Sequence, residues 1–148
     1  AQERKMYENL KEEIKEHEGF VNKVYKDHLG FPTIFYGHLI TPEDNYEEDK
    51  EYTKEMGEEV FEQDFQRTLD STQNLVGNRS INNTAKEVLI EMVYQMGVGG
   101  VSKFKKMWSA LDNEDYEEAG NQMLDSRWAK QTPHRCGKLS GKMKSAKL

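Results

Sequence analysis

Residues 17–38, HEGFVNKVYKDHLGFPTIFYGH, decide the fold of this chain. After Gly19 the sequence changes to short runs rich in Val, Tyr, Phe, Thr and Ile, which are enriched in strands. The runs are interrupted at residues 27–30 and at Gly37, where turn-forming residues stand. This pattern predicts a small antiparallel sheet with a tight turn.

A helix is predicted immediately before this sheet. Met6, Leu10 and Ile14 are spaced four residues apart and would share one helical stripe. Gly19 is a typical residue just past a helix end, so the helix should end beside Glu18.

The rest of the chain predicts mostly helices after an acidic loop at 41–52. Thr53 can cap an amphipathic helix that reaches about residue 73. Asn83 can cap the most apolar helix, which Gly97 should stop. Shorter helices are predicted at 102–111, 114–124 and 126–131, with Pro133 interrupting the region that follows.

Length and charge limit the classes of protein that fit. A chain of 148 residues suits one compact domain. The net charge of -6 argues against a nucleic-acid partner, because neutralising phosphates needs surplus Lys and Arg. Residues 40–64 are strongly acidic and residues 135–148 are basic without an acid. We interpret the basic end as a solvated helix face, with an anionic polymer as the alternative partner.

The number of cysteines and the length of the apolar runs indicate the cellular compartment that this chain fits. The single cysteine, Cys136, permits no internal disulfide and is expected to be a small buried residue in a reducing environment. No apolar run is long enough to cross a bilayer, and AQERKMYENL lacks the apolar core of a signal peptide. We therefore expect no membrane insertion and no self-directed export.

Two carboxylates and a hydroxyl carry the candidate chemistry. The negative end of the helix dipole disfavours an ionised Glu18, which favours the protonated form that a general acid needs. Asp27 opens the predicted turn and Thr33 lies just past it. Paired carboxylates across a cleft are typical of glycoside hydrolysis. Taken singly, Glu18 also fits a surface residue and Asp27 a turn cap.

Residues 17–41, HEGFVNKVYKDHLGFPTIFYGHLIT, resemble the catalytic stretch of the phage lysozyme family, glycoside hydrolase family 24. That family's pattern is Glu-Gly, then Tyr-x-Asp, a Gly, and Thr-Ile-Gly-x-Gly-His. The resemblance extends from about residue 7 to 136 through FEQD, MVYQMGVGGVSKF and SRWAKQTPHR. It implies a lysozyme-like α+β fold that is mainly helical, with a small antiparallel sheet. The single domain, 1–148, would have a sheet lobe at about 18–53, a helical lobe at about 54–148 plus the N-terminal helix, and a cleft between them.

The resemblance also implies an activity. Such an enzyme cleaves the β-1,4 bond between N-acetylmuramic acid and N-acetylglucosamine in peptidoglycan, with inversion and without a cofactor. Glu18 would be the acid, while Asp27, helped by Thr33, would activate water, at a carboxyl separation of roughly 6.5 to 9.5 Å. We expect a monomeric endolysin that stays in the host cytoplasm until holin-type release gives access to the wall.

Other residues take supporting roles by the same resemblance. Gln95 and Gln131 would bind sugar hydroxyl and N-acetyl groups, with ordinary solvation as the alternative. Arg135 would contact substrate and approach Glu18. His38 and Asp64 would form a structural pair that ties the sheet to the helix from residue 53.

Histidines near this stretch raise the question of a metal site. His17, His28 and His134 show no pair with the helical spacing of a zinc site. We expect no metal, since the implied mechanism needs none.

Phe35 departs from the family, which has Gly at this position. Strand alternation places the ring beside Thr33 at the cleft floor, where it would stack on a sugar or obstruct the cleft. A bulge that turns the ring into the core is the third possibility. A backbone that needs positive φ there would strain Phe.

Two rival functions follow. A lytic transglycosylase would need the acid and no water-activating partner, which Asp27 and Thr33 argue against. A wall-binding or virion structural module that has lost turnover is motivated by Phe35.

Overall fold

The computed structural model describes residues 7–146, so Met6 and Lys147, which entered two of the sequence predictions, lie outside the described residues. Helix α1 (Glu8–Glu18) precedes strands β1 (Val21–Lys26), β2 (Pro32–Phe35) and β3 (His38–Leu39). Six further helices follow: α2 (Lys54–Val76), α3 (Asn83–Ser102), α4 (Lys105–Asp112), α5 (Tyr116–Leu124), α6 (Arg127–Gln131) and α7 (Pro133–Lys144). The predicted α+β class, mainly helical with a small antiparallel sheet, is confirmed.

The described residues divide by their contacts into two compact units, 7–67 and 68–146. The division falls inside α2. The first unit contains α1 and the sheet, and Lys15 of α1 pairs there with Glu58 at 2.7 Å. The predicted assignment of α1 to a helical lobe stays a prediction. The predicted cleft between the lobes stays a prediction.

The three strands form one antiparallel sheet in the order β1-β2-β3. Val21 pairs with Phe35 and Tyr25 with Thr33, so four steps along β1 oppose two along β2. The register therefore shifts on β1 between Val21 and Tyr25, as it does at a bulge or a similar irregularity. Thr33 also pairs with Leu39 of β3.

The core of the 68–146 unit is built around α3. Val88, Leu89 and Met92 are fully buried there because α3 is apolar on most of its faces. The N-cap is Asn82, whose side chain accepts from the Thr84 N–H at 2.7 Å, so the prediction of Asn83 was wrong by one residue. Gly97, with a φ of 76°, interrupts α3 as expected.

The helical region near the end of the chain is interrupted at Pro133, as expected, because α6 ends at Gln131 and α7 begins at Pro133. Pro133 occupies the first turn of α7 and begins the helix. Proline suits this position because its missing N–H has no partner there and its fixed φ is helical. Within residues 7–146, no helix is both long and apolar enough to span a membrane.

Candidate active site

Glu18 is the last residue of α1 and is half-buried. The helix ends because Gly19 has a φ of 74°, and its N–H donates to Lys15 O. The Glu18 carboxylate lies against the backbone of Gly37, where an added Cβ would stand 2.5 Å from Glu18 Oε1. The glycine of the β2–β3 turn therefore makes room for the predicted acid.

Asp27 is held by the turn that it opens. Its Oδ1 accepts from the Leu29 N–H at 3.0 Å and from the Phe31 N–H at 2.8 Å. The Gly30 N–H also donates to the Asp27 carbonyl at 2.9 Å. Asp27 thus caps its turn, which was one of the two interpretations of this residue from the sequence. These hydrogen bonds also fix the position of its carboxylate.

Thr33 lies on β2, and only 2% of its surface is exposed. Its hydroxyl donates to the Phe31 carbonyl at 2.9 Å, the same carbonyl that accepts from the Asp27 N–H. The proton of the hydroxyl is therefore used within the turn, while its oxygen can still accept a hydrogen bond.

Tyr25, which the sequence pattern did not single out, is influenced by the charges of both carboxylates. It lies on β1 opposite Thr33 and is half-buried. Burial raises the pKa of Tyr25, and the negative charges of Glu18 and then Asp27 raise it further. Both carboxylates therefore lie within electrostatic reach of one phenol. The Tyr-x-Asp spacing was the signal available in the sequence.

Phe35 does not line a substrate site, so its assignment as a substrate-binding residue is corrected. Its side chain is fully buried, at 0% exposure. The ring stacks on Phe20 with centroids 6.0 Å apart and meets Tyr46 and Tyr52 edge-on at 5.5 and 6.3 Å. Phe35 has a positive φ of 59°, the strained backbone that the sequence raised as a condition for a residue in place of glycine. Its ring points into the core, which was the third of the three possibilities.

His38 contacts two carboxylates in the 7–67 unit. Its Nδ1 lies 2.8 Å from Asp64 Oδ2, the partner named from the sequence, and its Nε2 lies 3.0 Å from Asp44 Oδ2. These contacts raise the pKa of His38, with the hydrogen bond to Asp64 as the largest cause. Asp44 was missed, although its spacing from Thr41 indicates a turn cap, and Asp44 Oδ2 accepts from the Thr41 N–H at 2.9 Å. That the pair is structural stays a prediction.

The two glutamines of the 68–146 unit differ in their surroundings. Gln95 accepts from Trp128 Nε1 at 3.0 Å and donates from Nε2 to Thr132 Oγ1 at 3.4 Å. Gln131, the last residue of α6, is exposed. Gln95 therefore orders its neighbours, and sugar binding by either amide stays a prediction.

Arg135 has a partner that the sequence analysis did not predict. Its Nε donates to Glu91 Oε2 at 2.9 Å, and the side chains are only 9% and 0% exposed. The predicted approach of Arg135 to Glu18 and to substrate stays a prediction. Cys136, the next residue, is buried as expected, and burial raises the pKa of its thiol to about 11.

Comparison with known proteins gives the family. The sequence model of the family described as Phage lysozyme matches residues 15–144. "Probable T4-type lysozyme 2" of Dictyostelium discoideum is 30% identical over 157 residues, covering 90% of this chain and 92% of that protein. "Pre-baseplate central spike protein Gp5" of Enterobacteria phage T4 is 33% identical over 89% of this chain, which spans 27% of that protein. The chain therefore belongs to the phage lysozyme family.

Proposed function

We propose that this protein is a muramidase that hydrolyses the β-1,4 bond between N-acetylmuramic acid and N-acetylglucosamine in peptidoglycan, with inversion. Family membership supports the coarser statement, a peptidoglycan hydrolase of the muramidase type. The observation that carries the finer one is the placement of both carboxylates on the small sheet: Glu18 lies against Gly37 of the β2–β3 turn, and the β1–β2 turn next to Thr33 fixes Asp27. Two carboxylates held on one sheet fit the acid and base of a glycoside hydrolase, which act on a single scissile bond.

In the proposed reaction Glu18 donates its proton to the glycosidic oxygen as the bond breaks. Asp27 accepts a proton from a water that attacks the anomeric carbon from the opposite face. Asp27 Oδ2 makes neither of the turn's hydrogen bonds, which use Oδ1, and so suits this water. The buried Thr33 hydroxyl can accept a hydrogen bond from the same water.

The test is the clearing of permeabilised Gram-negative cells by the wild type and by Glu18→Gln. Glu16→Gln is the matched control, because Glu16 is an exposed residue of the same helix. We expect Glu18→Gln to lose at least about a hundredfold in rate, the range of general acid catalysis, and Glu16→Gln to match the wild type. Equal clearing by all three proteins would contradict the proposal.

Product analysis separates hydrolysis from the transglycosylase reaction. Hydrolysis adds water to the products, and NMR of the newly formed sugar end reports inversion directly. Products that lack the elements of water would indicate transglycosylation. A carboxyl separation near 5 Å in a substrate complex would indicate a retaining mechanism.

We further propose a monomer that acts as an endolysin, held in the host cytoplasm and released to the periplasmic wall by a holin. A second candidate role is a virion-associated enzyme or wall-binding module, which the similarity to a phage central spike protein favours. The sequence suggested this second role because Phe35 could obstruct the substrate. That reason no longer applies, since the ring of Phe35 is buried. Detection of the protein in purified particles, instead of in the lysate alone, would support the second role.

A further inference from the structure

The ring of Tyr36, the residue before Gly37, packs against the chain on both sides of Glu18. Phe20, two residues after Glu18, lies tilted against this ring with centroids 5.3 Å apart. Lys15, three residues before Glu18, places its Nζ 5.8 Å from the centre of the ring. Only 5% of Tyr36 is exposed. Tyr36 is therefore the part of the β2–β3 turn that meets the last turn of α1.

Lys15 joins this ring to α2. Its Nζ lies 2.7 Å from Glu58 Oε2, and its side chain is only 16% exposed. The Tyr36 hydroxyl donates to the other oxygen, Glu58 Oε1, at 3.3 Å. One carboxylate therefore holds a group from α1 and a group from the β2–β3 turn. We call Lys15, Tyr36 and Glu58 the anchor triad.

Both donors of the anchor triad stay protonated near neutral pH. Partial burial acts to lower the pKa of Lys15, but the contacts with Glu58 and Glu12 together outweigh it, so the pKa is raised. Burial raises the pKa of Tyr36, and the charge of Glu58 raises it further despite the opposing charge of Lys15. Lysine and tyrosine ordinarily titrate near about pH 10, so these shifts keep the triad intact.

We propose that the anchor triad positions Glu18, an inference that rests on the proposed muramidase function. Glu18 Oε1 lies against Gly37, where an added Cβ would stand 2.5 Å from it. The position of the acid thus depends on how the last turn of α1 meets the β2–β3 turn, and the triad joins these two elements. Displacement of a catalytic group by about 1 Å can cost about a hundredfold in rate. The members of the triad are positioning residues that act through Glu18.

A second ion pair between α1 and α2 provides the matched control. Lys11 Nζ lies 3.0 Å from Glu62 Oε2 and 5.3 Å from the centre of the Phe65 ring. It repeats the chemistry of Lys15 one turn earlier, with a largely buried lysine over an aromatic ring. Among the described residues, the side-chain hydrogen bonds of Lys11 go to Glu62 and not to the β2–β3 turn. Loss of this pair should weaken the attachment of α1 to α2 without disturbing the turn beside Glu18.

The test measures initial rates of hydrolysis of purified Gram-negative sacculi over a range of sacculus concentrations, well below the melting temperature of each variant. We expect Lys15→Met and Glu58→Gln to lose about tenfold or more in kcat with KM within about twofold, because the acid moves while the substrate contacts stay. Lys11→Met and Glu62→Gln should keep kcat within about twofold of the wild type. Lys15→Arg keeps the charge that faces Glu58 and should restore kcat to within about threefold.

Glu18→Gln in the same assay separates this inference from the proposed function. Equal kcat for Glu18→Gln and the wild type would overturn both, because Glu18 would then take no part in the reaction. A large loss in Glu18→Gln beside unchanged kcat in Lys15→Met and Glu58→Gln would overturn the anchor triad alone. Equal losses in Lys11→Met and Lys15→Met would do the same, since they would assign the effect to the attachment of α1, as would failure of Lys15→Arg to restore kcat.

Discussion

The ring of Phe35 occupies space that Gly57 leaves open. A Cβ at Gly57 would stand 3.1 Å from Phe35 Cδ1 and 2.5 Å from Phe20 Cε1. Gly57 is a buried residue of α2, where alanine would otherwise be the better helix former. The bulky residue at position 35 and the missing side chain at position 57 therefore depend on each other.

Gly57→Ala should destabilise the protein. The helix gains about 1 kcal/mol from the substitution, but overpacking against two rings costs about 1–3 kcal/mol. Gly137→Ala in α7 is the matched control, because an added Cβ there meets nothing within 4 Å. We expect urea unfolding to show a loss for Gly57→Ala and a gain of about 0.4–1 kcal/mol for Gly137→Ala. A similar gain in stability for both variants would mean that the rings of Phe20 and Phe35 move aside without an energetic cost.

Phe35→Gly should lower stability and leave the reaction itself unchanged. Removing a buried phenyl ring costs about 3–5 kcal/mol, while relief of the positive φ returns about 1–2 kcal/mol. The free energy of unfolding should therefore fall by about 1–4 kcal/mol. Clearing activity measured well below the unfolding transition should match the wild type. Higher activity at unchanged stability would revive the idea that Phe35 obstructs the substrate.

Gly37→Ala should lower activity more than stability. Gly37 has a φ of 70°, so alanine would be strained, and its Cβ would meet Glu18 Oε1. Gly77→Ala provides the control, because Gly77 has a φ of 60° and its nearest neighbour would be 3.9 Å away. Both variants should lose about 1 kcal/mol of stability. Only Gly37→Ala should lose about a hundredfold in kcat, as misplacement of a catalytic group does. Similar kcat values for Gly37→Ala and Gly77→Ala would mean that Glu18 does not take part in the reaction.

Local signals made part of this structure predictable. Gly19 and Asp27 act through their own backbone and nearest neighbours, so the helix end and the turn could be read directly from the sequence. The direction of Phe35 could not, because strand alternation holds only for regular strand backbone, and Phe35 has a positive φ of 59°. Glu91 was missed since its partner, Arg135, is distant in the sequence and only packing brings the two together. Asp44 was missed although its turn contact with Thr41 is local.

Tyr25 should report the charges of Glu18 and Asp27. Each carboxylate raises the pKa of the phenol, in addition to the larger effect of burial. Glu18→Gln and Asp27→Asn should therefore each lower the Tyr25 pKa, measured by NMR of tyrosine labelled at Cζ. Tyr25→Phe assigns the signal, and Glu16→Gln should leave it in place. An unmoved signal in either site variant would place that carboxylate too far from Tyr25 for a shared reaction.

His38 should make stability depend on pH, because each ring nitrogen faces a carboxylate and both bonds form only when the imidazole is protonated. Since the folded-state pKa of His38 is raised, its contribution is full below the unfolded value of about 6.5 and is lost as pH rises through the folded value. Partial burial of Asp44 acts to raise its pKa. The hydrogen bonds from Thr41 and His38 have a larger effect in the opposite direction, so the pKa of Asp44 is lowered in the folded state. The contribution of Asp44 is therefore present above the unfolded value of about 3.9 and is lost as pH falls through the folded value.

His38→Asn should therefore cost about 1–3 kcal/mol near pH 6, where the charged hydrogen bonds are intact, and less at pH 9. His28→Asn is the control, since His28 is exposed in the β1–β2 turn. Melting temperatures of the three proteins from pH 4 to pH 9 measure the effect, and the wild type should lose its advantage over His38→Asn on the alkaline side. Because His38 is neither the candidate acid nor the candidate base, kcat of the folded variant should stay within about twofold of the wild type. A constant difference across the range would mean that His38 acts through packing and not through its charge.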